Sequence, residues 1–387
     1  MKTTFVTLLI FLISTLSCTQ STKPEYSNLE GSVFQFNLGN SIDKPKTFPL
    51  SKIGSRLEYI ALESKPECML GEITNLALTD SFIFVSDGRK LLQFRKNGKY
   101  NKQIGSVGRG PGEFRFVSDF CITDQDGKIF VLDGRQVVVF DYNGHYQRSF
   151  NLDFVACQMI LEDRNTFIFH DLNFSINVTN QMFKPNFPDT TYSIHITDST
   201  GKNLIKIKHD LRQGNEPYIN ITSSPLYSHN GSITFLETGI DTAYHLIKRK
   251  KEHYAVFNLG ERKMDPHLVD KEKYAEEVKV KYWIASLTEN INFFFIDLIQ
   301  GISDTMIYCL VNKQTGETTL IRDLGFKNDL DDGLVFWPKQ VYKDSILVSY
   351  IEAYKFLRLT KVDSQEKIIE IRHKLTETSN PVIILLN

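Results

Sequence analysis

"IFVSDGRKLLQFRKNGKYNKQ", residues 83–103, aligns without a gap with "IFVLDGRQVVVFDYNGHYQRS", residues 129–149. Ten of the 21 positions are identical, among them Asp-Gly-Arg (87–89 and 133–135), Phe94/Phe140, Asn-Gly (97–98 and 143–144) and Tyr100/Tyr146. A repeat at an offset of 46 residues, with several short strands in each copy, is the signature of a propeller blade. The first copy reads as a meander of four short strands: 73–78 alternates, 80–81 turns, 82–85 is apolar, 87–88 turns, 91–94 follows, Asn97-Gly98 makes a hairpin and 100–104 finishes.

Weaker copies follow, each marked by an Asp entering an aromatic-bearing strand: "DTTYSIHI" from Asp189, "DTAYHLIK" from Asp241 and "DTMIYCLV" from Asp304. A sixth, "SILVSYIEAYKFLRLTKV", keeps the strand pattern but has Glu352 where the Asp would stand. The six units run roughly over 71–104, 116–150, 153–208, 226–259, 289–325 and 334–371. A spare strand, "RLEYIAL" at 56–62, precedes the first and can pair into the last blade, closing the circle and removing an open edge. The expected fold is therefore all-β, a six-bladed β-propeller of four-stranded antiparallel blades closed by an N-terminal strand. One segment departs from the pattern: 265–287, opening with Asp-Pro and rich in helix formers, reads as an inserted helix.

The first twenty residues carry one Lys, a twelve-residue apolar run over 5–16 and then Ser17-Cys18. The run is too short to span a bilayer and reads as the apolar region of a signal peptide. Cys18 directly after a small residue resembles a bacterial lipobox, in which cleavage before the Cys leaves its thiol to carry a diacylglycerol. The domain plan is a leader over 1–17, a lipid-anchored polar tether over 18–50, the propeller over 51–375 and a C-terminal tail over 376–387. That plan places the protein in the cell envelope, anchored to a bacterial membrane, with the outer membrane expected. A hydrophobic content of 41%, a charged content of 24% and a net charge of −1 give no basic surplus for nucleic acid. Cys68, Cys121, Cys157 and Cys309 have no zinc spacing and read as buried free thiols.

"GRGPGEF" followed by "SDFCITDQDGKIFVLD", together with "ETGIDTAYHL", "FNLGERKMDPHL" and "DLDDGLVFWP", is similar to the six-bladed β-propeller lipoproteins of Bacteroidetes, distant relatives of NHL-repeat propellers. The resemblance covers roughly 50–375 and implies a lipidated, exported propeller. It implies no reaction, since a fold does not supply a function.

The glycine-rich stretch "IGSVGRGPGEF", 104–114, lacks GxGxxG spacing and a following Lys-Ser/Thr, and a strand rather than a helix follows it, so it reads as a connector between blades. In a meander the turn between the second and third strands and the connector to the next blade share one face. Asp87, Arg89, Arg109, Glu113, Asp133 and Arg135 should therefore gather there, where Arg forks could hold an acidic or hydroxyl-rich ligand. The bland alternative is that the Asp residues cap their own turns, that Gly supplies positive φ, and that Arg89 and Arg135 make ion pairs between blades. No HExxH, GxSxG or paired carboxylate marks a catalytic centre, and neither metal nor cofactor is expected. Asp-Ser/Thr motifs make Thr190, Thr242, Thr305 and Ser345 candidate O-glycosylation sites. The leading functional expectation is a non-catalytic binding or scaffolding module for a glycan, peptide or envelope protein. The alternative is a polysaccharide hydrolase or lyase with its site at the ring centre.

Overall fold

Strand residues alternate between two faces, and here both faces are buried. In Phe82–Ser86, Ile83 and Val85 pack in one core cluster and Phe84 in another; in Lys128–Asp133, Ile129 and Val131 separate in the same way from Phe130 and Leu132. This explains the unbroken apolar runs "IFV", which a sheet with one wet face would not need. The computed structural model describes residues 33–171, 192–210, 225–237, 239–265, 275–301, 305–331, 333–359 and 366–387.

Six antiparallel meanders form a six-bladed β-propeller, as expected. Blade 1 comprises Asn75–Leu78, Phe82–Ser86, Leu91–Arg95 and Tyr100–Ile104. Blade 2 comprises Asp119–Thr123, Lys128–Asp133, Gln136–Asp141 and Tyr146–Asn151, and blade 3 Ala156–Asp163, Thr166–Asp171, Tyr192–Asp198 and Asn203–Lys208. Blade 4 holds Leu226–His229, Ser232–Leu236, Thr242–Ile247 and Lys250–Asn258; blade 5 holds Tyr282–Glu289, Phe293–Gln300, Met306–Asn312 and Thr318–Ile321. Blade 6 is composite: Gln340–Tyr342, Ile346–Ile351, then Val382–Leu386 and, outermost, Leu57–Ala61 from the other end of the chain.

Four sequence expectations need correction. Residues 376–387 are no tail, because Val382–Leu386 is the third strand of blade 6 and all five of its side chains are buried. The segment expected to be that strand instead forms the helices Ala353–Leu359 and Glu366–Lys374, whose Phe356, Ile368 and Ile371 pack into the blade 5–6 core. Their apolar residues repeat at helical spacing, which the strand reading overlooked. The inserted helix shrinks, among the described residues, to Ala275–Val278; Trp283 instead lies in Tyr282–Glu289, the inner strand of blade 5. Residues 266–274 lie outside the described residues. Nor is the whole of 18–50 a tether. Phe34–Asn37 adds a parallel fifth strand to blade 4, and the chain then follows the rim of blade 5 through bridges of Lys46 with Ile321 and Pro49 with Lys327. The leader and Cys18 lie outside the described residues.

The third strand of blade 6 contributes five buried apolar side chains at about 1.5–3 kcal/mol each, so its loss costs on the order of the whole stability of a domain. Deleting residues 376–387 should yield an aggregating chain without a cooperative thermal transition. A deletion variant that melts like the full chain in calorimetry would contradict this closure.

Candidate functional site

The connector face gathers as the meander geometry requires. Val117 N–H donates to the Gly88 carbonyl at 2.8 Å, and Leu152 N–H to the Arg135 carbonyl at 2.8 Å, so each Asp-Gly-Arg turn meets the following connector. The carboxylates there are nonetheless taken up by the protein itself. Asp87 accepts the N–H groups of Arg89 and Lys90 at 3.0 Å each and that of Gly71 at 3.1 Å. Asp133, 2% exposed, accepts Arg115 three times, from its backbone N–H at 2.9 Å, Nε at 3.2 Å and Nη2 at 3.1 Å. Arg115, absent from the sequence candidates, is therefore the partner of the second Asp-Gly-Arg turn. Arg89 and Arg135 are exposed, and the ion pairs expected of them do not form among the described residues.

The glycine loop resembles an anion cradle that is already filled. The backbone N–H groups of Arg109 and Gly110 converge on Glu113 Oε2 at 2.8 and 2.7 Å. A Cβ on Gly108 would stand 2.0 Å from that oxygen, and one on Gly105, at φ +62°, would strike Phe114 and Phe140 at 2.7 Å each. The glycines thus make room for the chain's own carboxylate and for the Phe114 ring, while the Arg109 side chain is exposed. Of the candidate glycosylation positions, Thr242 is buried at 8% exposure, Thr305 and Ser345 are exposed, and Thr190 lies outside the described residues.

Part of the unmet hydrogen-bonding capacity lies nearer the axis. All six inner strands run in the same sense, so equivalent register positions on them ring one mouth toward the connector face. Asn75 pairs with Ser86, Asp119 with Leu132, Gln158 with His170 and Ser286 with Asp297, equivalent register positions in blades 1, 2, 3 and 5. These residues line a cavity of about 300 Å³ together with Tyr227, Thr288, Lys339, Gln340 and Tyr350. Asp119 ties three blades together: Oδ1 accepts Asn75 Nδ2 at 3.0 Å and the Phe120 N–H at 2.8 Å, and Oδ2 accepts the Met159 N–H at 2.9 Å. Burial pushes its carboxyl up to about 7 against the pull of these donors. The carbonyl oxygens Asn75 Oδ1 and Gln158 Oε1 are buried without a hydrogen-bond partner. In proteins such orphans are few, and each asks for an explanation. Sequence reasoning missed this set because the connectors differ in length, so a constant offset does not superpose the inner strands.

At the other end of the axis the hairpins interlock. Asn230 N–H donates to Asp344 Oδ1 at 2.9 Å, with His229 Nδ1 3.2 Å from the same oxygen, joining blades 4 and 6. Buried Glu289 accepts the hydroxyls of Tyr227 at 2.9 Å and Tyr254 at 2.7 Å and pairs with Lys313. Among the described residues no group of three or more His, Cys, Asp or Glu could hold a metal, and Cys68, Cys121, Cys157 and Cys309 are free thiols.

This is a six-bladed propeller with a preformed polar mouth. The chain belongs to the family described as a domain of unknown function, DUF4934, which matches residues 33–387. A Bacteroides fragilis protein described as exported has the same fold, with a TM-score of 0.69 at 16% identity, covering 92% of this chain and 99% of its own. A DUF4221 family member from Bacteroides vulgatus gives a TM-score of 0.47 at 11% identity over 69% of this chain and 86% of its own. At 16% identity the first likeness speaks for the fold alone. Comparison with curated proteins finds no match.

The Asp119 carboxyl makes stability depend on pH. Its folded pKa lies above the unfolded value, so its contribution is full below about pH 4 and is lost as pH rises to about 7. Buried His170, lowered to about 4, has the opposite sign: its cost at low pH is relieved between about 4 and 6.5. The difference between Asp119→Asn and the native chain isolates the first effect. In urea titrations the variant should gain stability relative to native from pH 5 to 7 and hold that gain at pH 8. A difference flat in pH would contradict the raised carboxyl.

Proposed function

We propose that this protein is an exported, lipid-anchored binding module that seats a glycan at the central mouth of its propeller. The observation that carries this reading is the pair of orphan carbonyl oxygens, Asn75 Oδ1 and Gln158 Oε1, buried just behind a cavity wall that their residues share with hydroxyls, amides and tyrosines. Buried acceptors left unpaired suit a ligand rich in O–H donors, and a rigid ring lowers the ordering cost of meeting it. The rim loop, the other candidate, spends its N–H donors on Glu113. A glycan-array measurement separates the two: Gln158→Ala should lose binding at least tenfold, whereas Arg109→Glu combined with Arg135→Glu should leave it unchanged. The reverse pattern, or selective recovery of peptides, would overturn the assignment.

Export and anchoring rest on the apolar run over 5–16 and on Cys18. Cys18→Ala should move the protein from the membrane to the soluble fraction and abolish incorporation of labelled palmitate. Retention in the membrane fraction would refute the lipid anchor. One observation favours the enzymatic alternative, a polysaccharide hydrolase or lyase at the ring centre: Asp119 has a carboxyl pushed to about 7, within the range of a general acid or base. That carboxyl already accepts three protein donors, which suits a fixed acceptor better than a proton carrier.

A further inference from the structure

The mouth is electrically lopsided. Blade 6 brings Lys339 to the cavity wall, exposed, with Nζ 5.0 Å from the centroid of the Tyr350 ring. The Tyr350 hydroxyl donates to the Ile73 carbonyl at 3.0 Å, so the ring beneath the ammonium is fixed to blade 1. Lys339 forms no ion pair with a carboxylate among the described residues; Asp297 and Glu352 feel its field, but Asp297 accepts Trp337 Nε1 at 2.6 Å and Glu352 pairs with Lys355 at 3.0 Å. A cation held over an aromatic face keeps its N–H donors available for an anion. Blade 3 lies opposite blade 6 in the ring, and it carries the orphan Gln158 Oε1; the orphan Asn75 Oδ1 stands on blade 1.

From this arrangement we propose that the mouth selects an acidic sugar, a hexuronate or a short chain of them, with the carboxylate on Lys339 and the ring hydroxyls on Asn75 and Gln158. The inference rests on the central mouth being the ligand site. The acceptors are spread over inner strands of different blades, with the Asp119 carboxyl bonded to both sides between them. That spacing suits the separate hydroxyls of a sugar ring better than the single point of an ammonium group. The cavity, about 300 Å³, stands at the lower end of the range for small-molecule sites. It fits one or two sugar units and leaves the rest of a longer chain outside.

The test is calorimetric titration of the full chain with galacturonate, digalacturonate, galactose and alanyl-alanine, repeated with Lys339→Met and Gln158→Ala. The acidic sugars should bind at least tenfold more tightly than galactose. Lys339→Met should erase that advantage, and Gln158→Ala should weaken both sugars. Raising the salt concentration should weaken the acidic sugars alone. Equal affinity for galactose and galacturonate, or no effect of Lys339→Met, overturns the acidic class but leaves a sugar-binding mouth if Gln158→Ala still weakens both. Binding of alanyl-alanine in preference to either sugar, or sugar binding indifferent to both substitutions, overturns the mouth as a glycan site as well.

Discussion

Everything in this molecule depends on each blade serving two interfaces at once. Because successive side chains point to opposite sides, a blade buried between two others must be apolar on both. Among the described residues six core clusters are each shared by adjacent blades: 6 and 1 through Ile83 and Ile383, 1 and 2 through Phe84 and Ile129, 2 and 3 through Phe130 and Phe167, 3 and 4 through Ile168 and Phe235, 4 and 5 through Phe257 and Phe294, 5 and 6 through Phe295 and Ile384. An open end would leave half of a blade's side chains in water. The strand Val382–Leu386 removes both open ends together, sending Ile383 and Leu385 toward blade 1 and Val382, Ile384 and Leu386 toward blade 5.

The same constraint decides where polar groups can stand. With both blade faces largely apolar, they gather at strand ends, turns and the axis, with Gln93, His195 and Thr234 as buried exceptions within strands. At the second-strand ends a carboxylate follows the register position that faces the mouth: Asp87 after Ser86, Asp133 after Leu132, Asp171 after His170 and Glu237 after Leu236. Each has its own protein donor. Asp87 takes N–H groups of its turn, Asp133 takes Arg115, Asp171 lies 3.0 Å from His195 Nε2, and Glu237 takes Ser193 Oγ at 2.7 Å. This ring of acids is architectural. The axis is different, since inner-strand ends converge there with no further strand to satisfy them, which leaves Asn75 Oδ1 and Gln158 Oε1 unpaired.

Most of the fold was legible because it is written in local signals. The Asp-Gly and Asn-Gly turns stand where the chain needs them, with Gly88 at φ +83° and Gly98 at φ +82°, and the strands between them match expectation to within two residues at either end in blade 1. Blade 6 was misread because its third strand is separated from its second by two helices, and no local pattern announces that a strand will return thirty residues later. The candidate site was less legible. Asp87, Asp133 and Glu113 were drawn to attention by charge and repetition, yet repetition marks what every blade needs, which is a capped turn. Asn75, Asp119 and Gln158 are equivalent only through strand pairing, and their residue types differ, so no repeat in the sequence connects them.

The glycine loop shows how far a motif can be read without its surroundings. Converging N–H groups are the physical content of an anion site, and they are present at Arg109 and Gly110. What the motif does not contain is the competitor. Glu113 stands only a few residues further along the same loop, tethered at high effective concentration, and a free anion must displace it at a cost close to the two charge-assisted hydrogen bonds it makes. At the axis the balance is reversed, because the chain offers no donor of its own to Asn75 Oδ1 and Gln158 Oε1. A ligand that brings donors there would gain hydrogen bonds without displacing a protein donor, and that asymmetry is the ground for proposing recognition at the centre of the ring rather than on its rim.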